Sequence, residues 1–221
     1  MAKVSGNSIQ LGDSATASQN FVLQTMLDGT AKLSRGNLGS TTQDVLTVDA
    51  AGKVTLTNGE VATASKLQSG TAIASTSGTS IDFTGIPSWA KRITVMFNGV
   101  STNGSSFLQI QLGDSGGVEN TGYTCVATTS GGGGTIDTSV STGIAIRINT
   151  PAYQIAGDVT FNNMTGNLWT ARGATTALVA GTGSCYTSGS KTLSATLDRL
   201  RITTVNGTDT FDAGSINIMW E

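Results

Sequence analysis

Apolar and polar residues alternate with a period of two through most of this chain, the pattern of half-buried β-strands. From Ser80 onward the segments SIDF, RITVMFNGV, FLQIQL, GYTCVAT, TGIAIRIN, DVTFNNM, LWTARG, TTALVA, KTLSATL, RLRITTV and SINIMW follow one another with small polar residues between them. All are alternating or rich in β-branched side chains, and their close spacing predicts an antiparallel β-sandwich, jelly-roll-like, over residues 80–221. Three triplets are expected to form its core: Ile93, Val95 and Phe97; Leu108, Ile110 and Leu112; and Ile144, Ile146 and Ile148.

The first part of the chain reads differently. SIQL, NFVLQTM, TAKLSRG, DVLTVDA and KVTLTNG are short extended pieces separated by GDS, DGT, GN and AAG. Each is too short to bury enough apolar area to offset its own ordering entropy, so residues 1–59 are expected to be stabilised by other chains or a larger assembly. Residues 60–79, EVATASKLQSGTAIASTSGT, are small and polar and read as a linker or neck, with a short helix possible over Val61–Leu67. The fold class is therefore all-β: an N-terminal attachment region of short strands, a linker, and a C-terminal sandwich.

Three turns carry specific expectations. Asn206-Gly207 signals a hairpin before the last strand. TSGGGGT, residues 129–135, has four consecutive glycines and is the most flexible loop on composition, either disordered or held by close packing. LGDSGGV, residues 112–118, contains the GDSGG that surrounds the nucleophile of chymotrypsin-like proteases, but the chain has no histidine to take the serine proton. IQLGDS also occurs twice, as Ile9 to Ser14 and Ile110 to Ser115, so a strand running into a turn accounts for it.

Composition narrows the function classes. Only 12% of residues are charged, the net charge is −2, and no basic block is present, so the electrostatic footprint of nucleic-acid binding is missing. No apolar run is long enough for a signal peptide or a membrane span, which predicts a protein that is neither exported by that route nor inserted in a membrane. Cys125 and Cys185 match no metal-ligand spacing and are expected as free buried thiols. The acids Asp114 with Glu119, or Asp209 with Asp212, could supply the pair that glycoside hydrolysis needs, but both lie where turns use aspartate for backbone bonding. No catalytic residue, cofactor site or metal site is assigned.

The stretches GNSIQLGDSATASQNFVLQTMLDGTAKLSRGN, SGTSIDFTGIPSWAKRITVMFNGVSTNG and LDRLRITTVNGTDTFDAGSINIMWE resemble segments of tail-fibre-type proteins of tailed bacteriophages. The resemblance is strongest at residues 1–58, 79–112 and 197–221 and carries no catalytic motif. It implies a virion component, made in the bacterial host's cytoplasm, homotrimeric, docked on other virion proteins through residues 1–60 and pointing its C-terminal domain outward. Contact with a host-surface glycan or protein would fall to loop aromatics, for which Tyr123, Tyr153, Trp169 and Tyr186 are the candidates; Trp89 and Trp220, in or beside strands, read as packing. The alternatives are a capsid decoration or head-fibre protein, a glycan depolymerase, and a secreted adhesin.

Overall fold

A computed structural model describes residues 3–5, 8–11, 21–25, 29–37, 40–56, 67–131, 134–147, 150–151, 153–177 and 183–221. Every regular element among them is a strand, as the alternation predicted. The chain divides into two units, residues 1–65 and 66–221. The helix expected over Val61–Leu67 lies, but for Leu67, outside the described residues.

The first unit is a meander of six strands, β1 (Lys3–Ser5), β2 (Ser8–Leu11), β3 (Phe21–Thr25), β4 (Ala31–Asn37), β5 (Ser40–Val48) and β6 (Val54–Leu56), each antiparallel to the next. The β5–β6 connection shows how local chemistry sets a turn here. Asp49 Oδ1 accepts the backbone N–H groups of Ala51 at 3.0 Å and Lys53 at 2.8 Å, and Gly52 takes the left-handed conformation the turn requires.

The second unit is a two-sheet sandwich. Its strands are β7 (Gln68–Ser69), β8 (Ile73–Ala74), β9 (Ser80–Thr84), β10 (Arg92–Thr102), β11 (Leu108–Asp114), β12 (Gly117–Val118), β13 (Thr124–Gly131), β14 (Gly134–Val140), β15 (Ile144–Ile146), β16 (Ile155–Thr165), β17 (Leu168–Ala177), β18 (Ser184–Thr192), β19 (Leu197–Thr204) and β20 (Phe211–Trp220). The larger sheet runs β14-β13-β18-β17-β16-β10-β20, with β7 and β8 both along the far side of β20; the smaller runs β12-β11-β19-β9, with β15 also beside β11. Residues 68–75 therefore belong to the sandwich and not to the linker expected over 60–79. Their few apolar residues gave no strand signal, because backbone pairing with β20 and the Ser75 hydroxyl donating to Ala213 O at 2.7 Å hold them.

The core lies between the sheets. Ile93, Val95, Phe97, Leu108, Ile110, Leu112, Ile144 and Ile146 are all buried, as the triplets predicted; Ile148 lies outside the described residues. Each side chain of this size removed from water contributes about 1.5–3 kcal/mol before entropy is counted. β11 departs from its half-buried reading, since all seven of its residues are buried. Gln109 and Gln111 remain satisfied there by donating to Thr204 O at 3.2 Å and Thr142 O at 3.0 Å.

Two turn expectations change. Asn206 does form a tight turn, its Oδ1 accepting from Thr208 N–H at 3.1 Å, but β19 and β20 belong to different sheets, so the turn is a crossover and not a hairpin. Of the glycine run, Gly131 and Gly134 pair with each other at the end of the β13–β14 ladder, and Gly132 and Gly133 lie outside the described residues. The GDS reading holds, because Asp114 Oδ1 accepts Gly116 N–H at 2.8 Å in the β11–β12 turn. Trp89 and Trp220 pack against the core.

Candidate functional site

The pairing registers define two ends of the sandwich. β7 meets β20 at Met219 and Trp220, and the ladder places Arg92, Asn162, Thr170 and Ser190 on that same side, where the chain enters the unit. At the opposite end β10, β13, β15, β17 and β19 finish and β11, β14, β16, β18 and β20 begin, and the segments 103–107 and 205–210 lie among them. These two segments are laced together. Asp209 accepts Ser106 N–H at 2.9 Å and the Asn206 amide at 2.7 Å, while Asn103 Oδ1 accepts Thr210 N–H at 2.9 Å. The Asp209 carboxylate occupies the place a Cβ on Gly104 would take, so a larger residue there would have to displace it from Ser106 and Asn206.

The four candidate aromatics do not converge. Tyr123 is only 4% exposed and structural: Leu112 N–H donates to its hydroxyl at 2.6 Å, and the hydroxyl donates to Glu119 O at 3.0 Å. Burial pushes its phenol well above the ordinary value. Trp169 is likewise 4% exposed, facing the core from β17 and flooring a cavity of about 220 Å³ at the entry end with Asn163, Asn167 and Leu197. Neither ring offers a face to a receptor, and both are corrected to packing residues. Their flanking turn residues suggested loops, whereas period-two phasing against the core decides. Tyr153 is half-buried at the far end, beside Ser101, Thr102 and Thr150 around a space of about 10 Å³, room for no more than a water.

Tyr186 alone presents its ring, at 53% exposure, and it does so from mid-strand on the outer face of the large sheet and not from a loop. Across that face the register aligns Met96, Asp158, Ala174, Tyr186, Thr128 and Asp137 in one row, and Thr94, Thr160, Arg172, Ser188, Val126 and Ser139 in the next. Arg172 and Val126 are exposed beside it, and the Thr128 hydroxyl donates to Asp137 at 2.7 Å. An aromatic ring flanked by hydroxyls, a guanidinium and carboxylates can stack on a pyranose and bond its hydroxyls. Sequence reading missed Arg172 and Val126. Only their phase relative to Tyr186 across β17 and β13 marks them, and that needs the register.

Of the carboxylate pairs, Asp114 and Glu119 do meet. The Ser194 hydroxyl lies 2.7 Å from Asp114 Oδ2 and 2.8 Å from Glu119 Oε1, and Ser194 N–H donates to Glu119 at 2.7 Å. Lys191, 6% exposed, bonds Glu119 Oε2 and Thr121 O and lies 5.3 Å from the Tyr123 ring centre. The Ser194 hydroxyl and the Gly116 amide hold the Asp114 carboxyl below its usual range. Burial would raise that of Glu119, but the Lys191 ammonium and the Ser194 donors outweigh it and lower it. Both carboxylates are thus committed acceptors held ionised, unlike the raised general acid that glycoside hydrolysis needs. Asp209 and Asp212 share no partner, for Asp212 accepts the Ser101 hydroxyl.

The cysteines are free and buried. Cys125 pairs with Gly189 and Cys185 with Thr129, four positions along β13 from Cys125. That is about 13 Å along the strands, beyond the roughly 4.4–6.8 Å between Cα atoms that a disulfide spans. Their sulfurs instead accept backbone N–H groups of Ala145 at 3.2 Å and Arg147 at 3.1 Å, seating β15 and its extension on the large sheet. Among the described residues, no three metal-ligating side chains gather, and no helix is long and apolar enough to cross a membrane. The chain matches no family model, no curated protein and no solved structure.

Proposed function

We propose that this chain is a structural protein of a tailed-bacteriophage particle, a homotrimeric tail fibre or similar appendage whose sandwich touches the host surface. The observation that carries the reading is the polarity of the sandwich: the chain enters at one end, and at the other five strands finish and five begin, with β13 and β14 pairing there as far as Gly131 and Gly134. A domain held through residues 1–60 by other virion proteins would present such an end to the outside. The face around Tyr186 and Arg172 supplies the contact chemistry, suited to a glycan. No catalytic step is assigned, because the paired carboxylates are consumed by structural bonds.

Recognition by this reading is multivalent. One contact of a ring and a few polar groups is weak, and three copies in one appendage raise avidity by about 10²–10⁴ where geometry lets them engage together. The test is competition. Purified full-length protein added to host cells should slow adsorption of the particle, and the Tyr186→Ala variant should compete less well. Adsorption unchanged by excess protein contradicts the reading.

A further inference from the structure

The N-terminal sheet is inside out for an isolated chain. Its register places Ile9, Leu23, Leu33 and Leu46 in one row across β2 to β5. Thr25, Ala31, Val48 and Val54 form the adjacent row of the same face, and Leu11 and Phe21 lie on its other side, where Arg35 marks the border. On this apolar side Ile9 is 39% exposed, Leu11 51%, Leu23 44% and Val54 49%, while Phe21, Leu33, Leu46 and Val48 are half-buried. On the opposite side, Gln10, Val22 and Ser34 are in register and are 3, 0 and 0% exposed. A sheet with one solvated side normally turns its polar side outward. Here Gln10 and Ser34 are buried while Ile9, Leu11, Leu23 and Val54 stay exposed.

From this inversion we infer that the apolar face of β2–β6 is the surface through which copies of this chain associate. The occupants are the matching faces of the other copies in the homotrimer. The two central rows carry no charge, so identical faces meet without repulsion and offer nothing to a charged partner. Five strands at about 4.8 Å spacing and two rows along the strands outline roughly 330 Å², within the range of the largest apolar patch on an ordinary monomer. Two faces in contact bury roughly 650 Å², short of the ~1,200 Å² of a stable pairwise interface, so this contact alone gives association that depends on concentration. The inference rests on the self-association part of the function proposed above and needs no host receptor.

The test is the solution mass of the full-length protein by light scattering over a range of concentrations, for the native chain, Leu23→Lys, and Thr55→Lys, an exposed residue of β6 that faces the opposite side. The expected result is a mass above the monomer for the native chain and Thr55→Lys, and a monomer for Leu23→Lys. A second variant guards against misfolding: Leu23→Cys should form an intermolecular disulfide on oxidation, and Thr55→Cys should not, the native thiols being buried. A multimer unchanged by Leu23→Lys, with no cross-link through position 23, overturns this inference while leaving a homo-oligomer in place. A native chain that stays monomeric and uncross-linked overturns both.

Discussion

The ammonium of Lys191 and the carboxylate of Glu119 form an ion pair in which the lysine side chain is 7% exposed and the glutamate 23%. Lys191 points inward from the end of β18 and Glu119 follows β12, so the pair ties the rims of the two sheets together. Removing the acid strands a buried cation, whereas removing the lysine leaves Glu119 with both Ser194 donors and partial solvent. Glu119→Gln should therefore cost more than Lys191→Met, about 2–3 kcal/mol against about 1, below the ~3–5 seen for breaking fully buried pairs. Urea unfolding of the two variants checks the order.

Acid should loosen the same corner. Asp114 and Glu119 titrate below their ordinary values of 3.8 and 4.5 in the folded chain. Their stabilisation is therefore complete above those values and is lost as pH falls through the depressed folded ones. Melting temperature should hold from pH 7 to about 5 and drop steeply below about 4.5, and Ser194→Ala, which removes a donor to both acids, should flatten that drop. A pH profile for Ser194→Ala parallel to that of the native chain would contradict the assignment.

Tyr123 and Tyr186 should separate stability from recognition. Tyr123→Phe leaves the buried Leu112 N–H without its acceptor and should cost about 1–3 kcal/mol with no direct effect on adsorption. Tyr186→Ala removes an exposed ring and should change stability by less than about 0.5 kcal/mol while weakening competition for host cells. Chemical denaturation and adsorption assays on the same two preparations distinguish the roles.

Gly214 should tolerate no side chain. Its φ is +90°, and a Cβ there would sit 2.4 Å from Gly99 O at the irregular stretch where β10 slips against β20. Both the conformation and the contact penalise alanine, so Gly214→Ala should cost at least about 2 kcal/mol, or roughly 4–8 °C in a unit of this size. Differential scanning calorimetry measures it.

The strands and the inward triplets were legible because alternation is a local property, and Ile93, Val95 and Phe97 face inward for the reason their spacing suggests. What alternation cannot carry is partnership. Nothing in RLRITTVNGTDTF says that β19 and β20 go to different sheets, and GTAIAS gives no hint of pairing with a strand some 140 residues later. The N-terminal pieces each showed their apolar residues. That Ile9, Leu23, Leu33 and Leu46 line up is a fact of register alone. The candidate site was legible in part: Tyr186 is exposed, while Tyr123 and Trp169 are claimed by the core through neighbours distant in sequence.

The most direct test of the appendage is its position on the particle. A short epitope inserted between Gly131 and Gly134, at the tip of the β13–β14 hairpin, can be labelled with gold on intact particles and located by electron microscopy. The account predicts label on the tail, at its periphery and away from the tail axis. Label spread over the head would make the chain a decoration or head-fibre protein, and particles without label would contradict a virion role altogether.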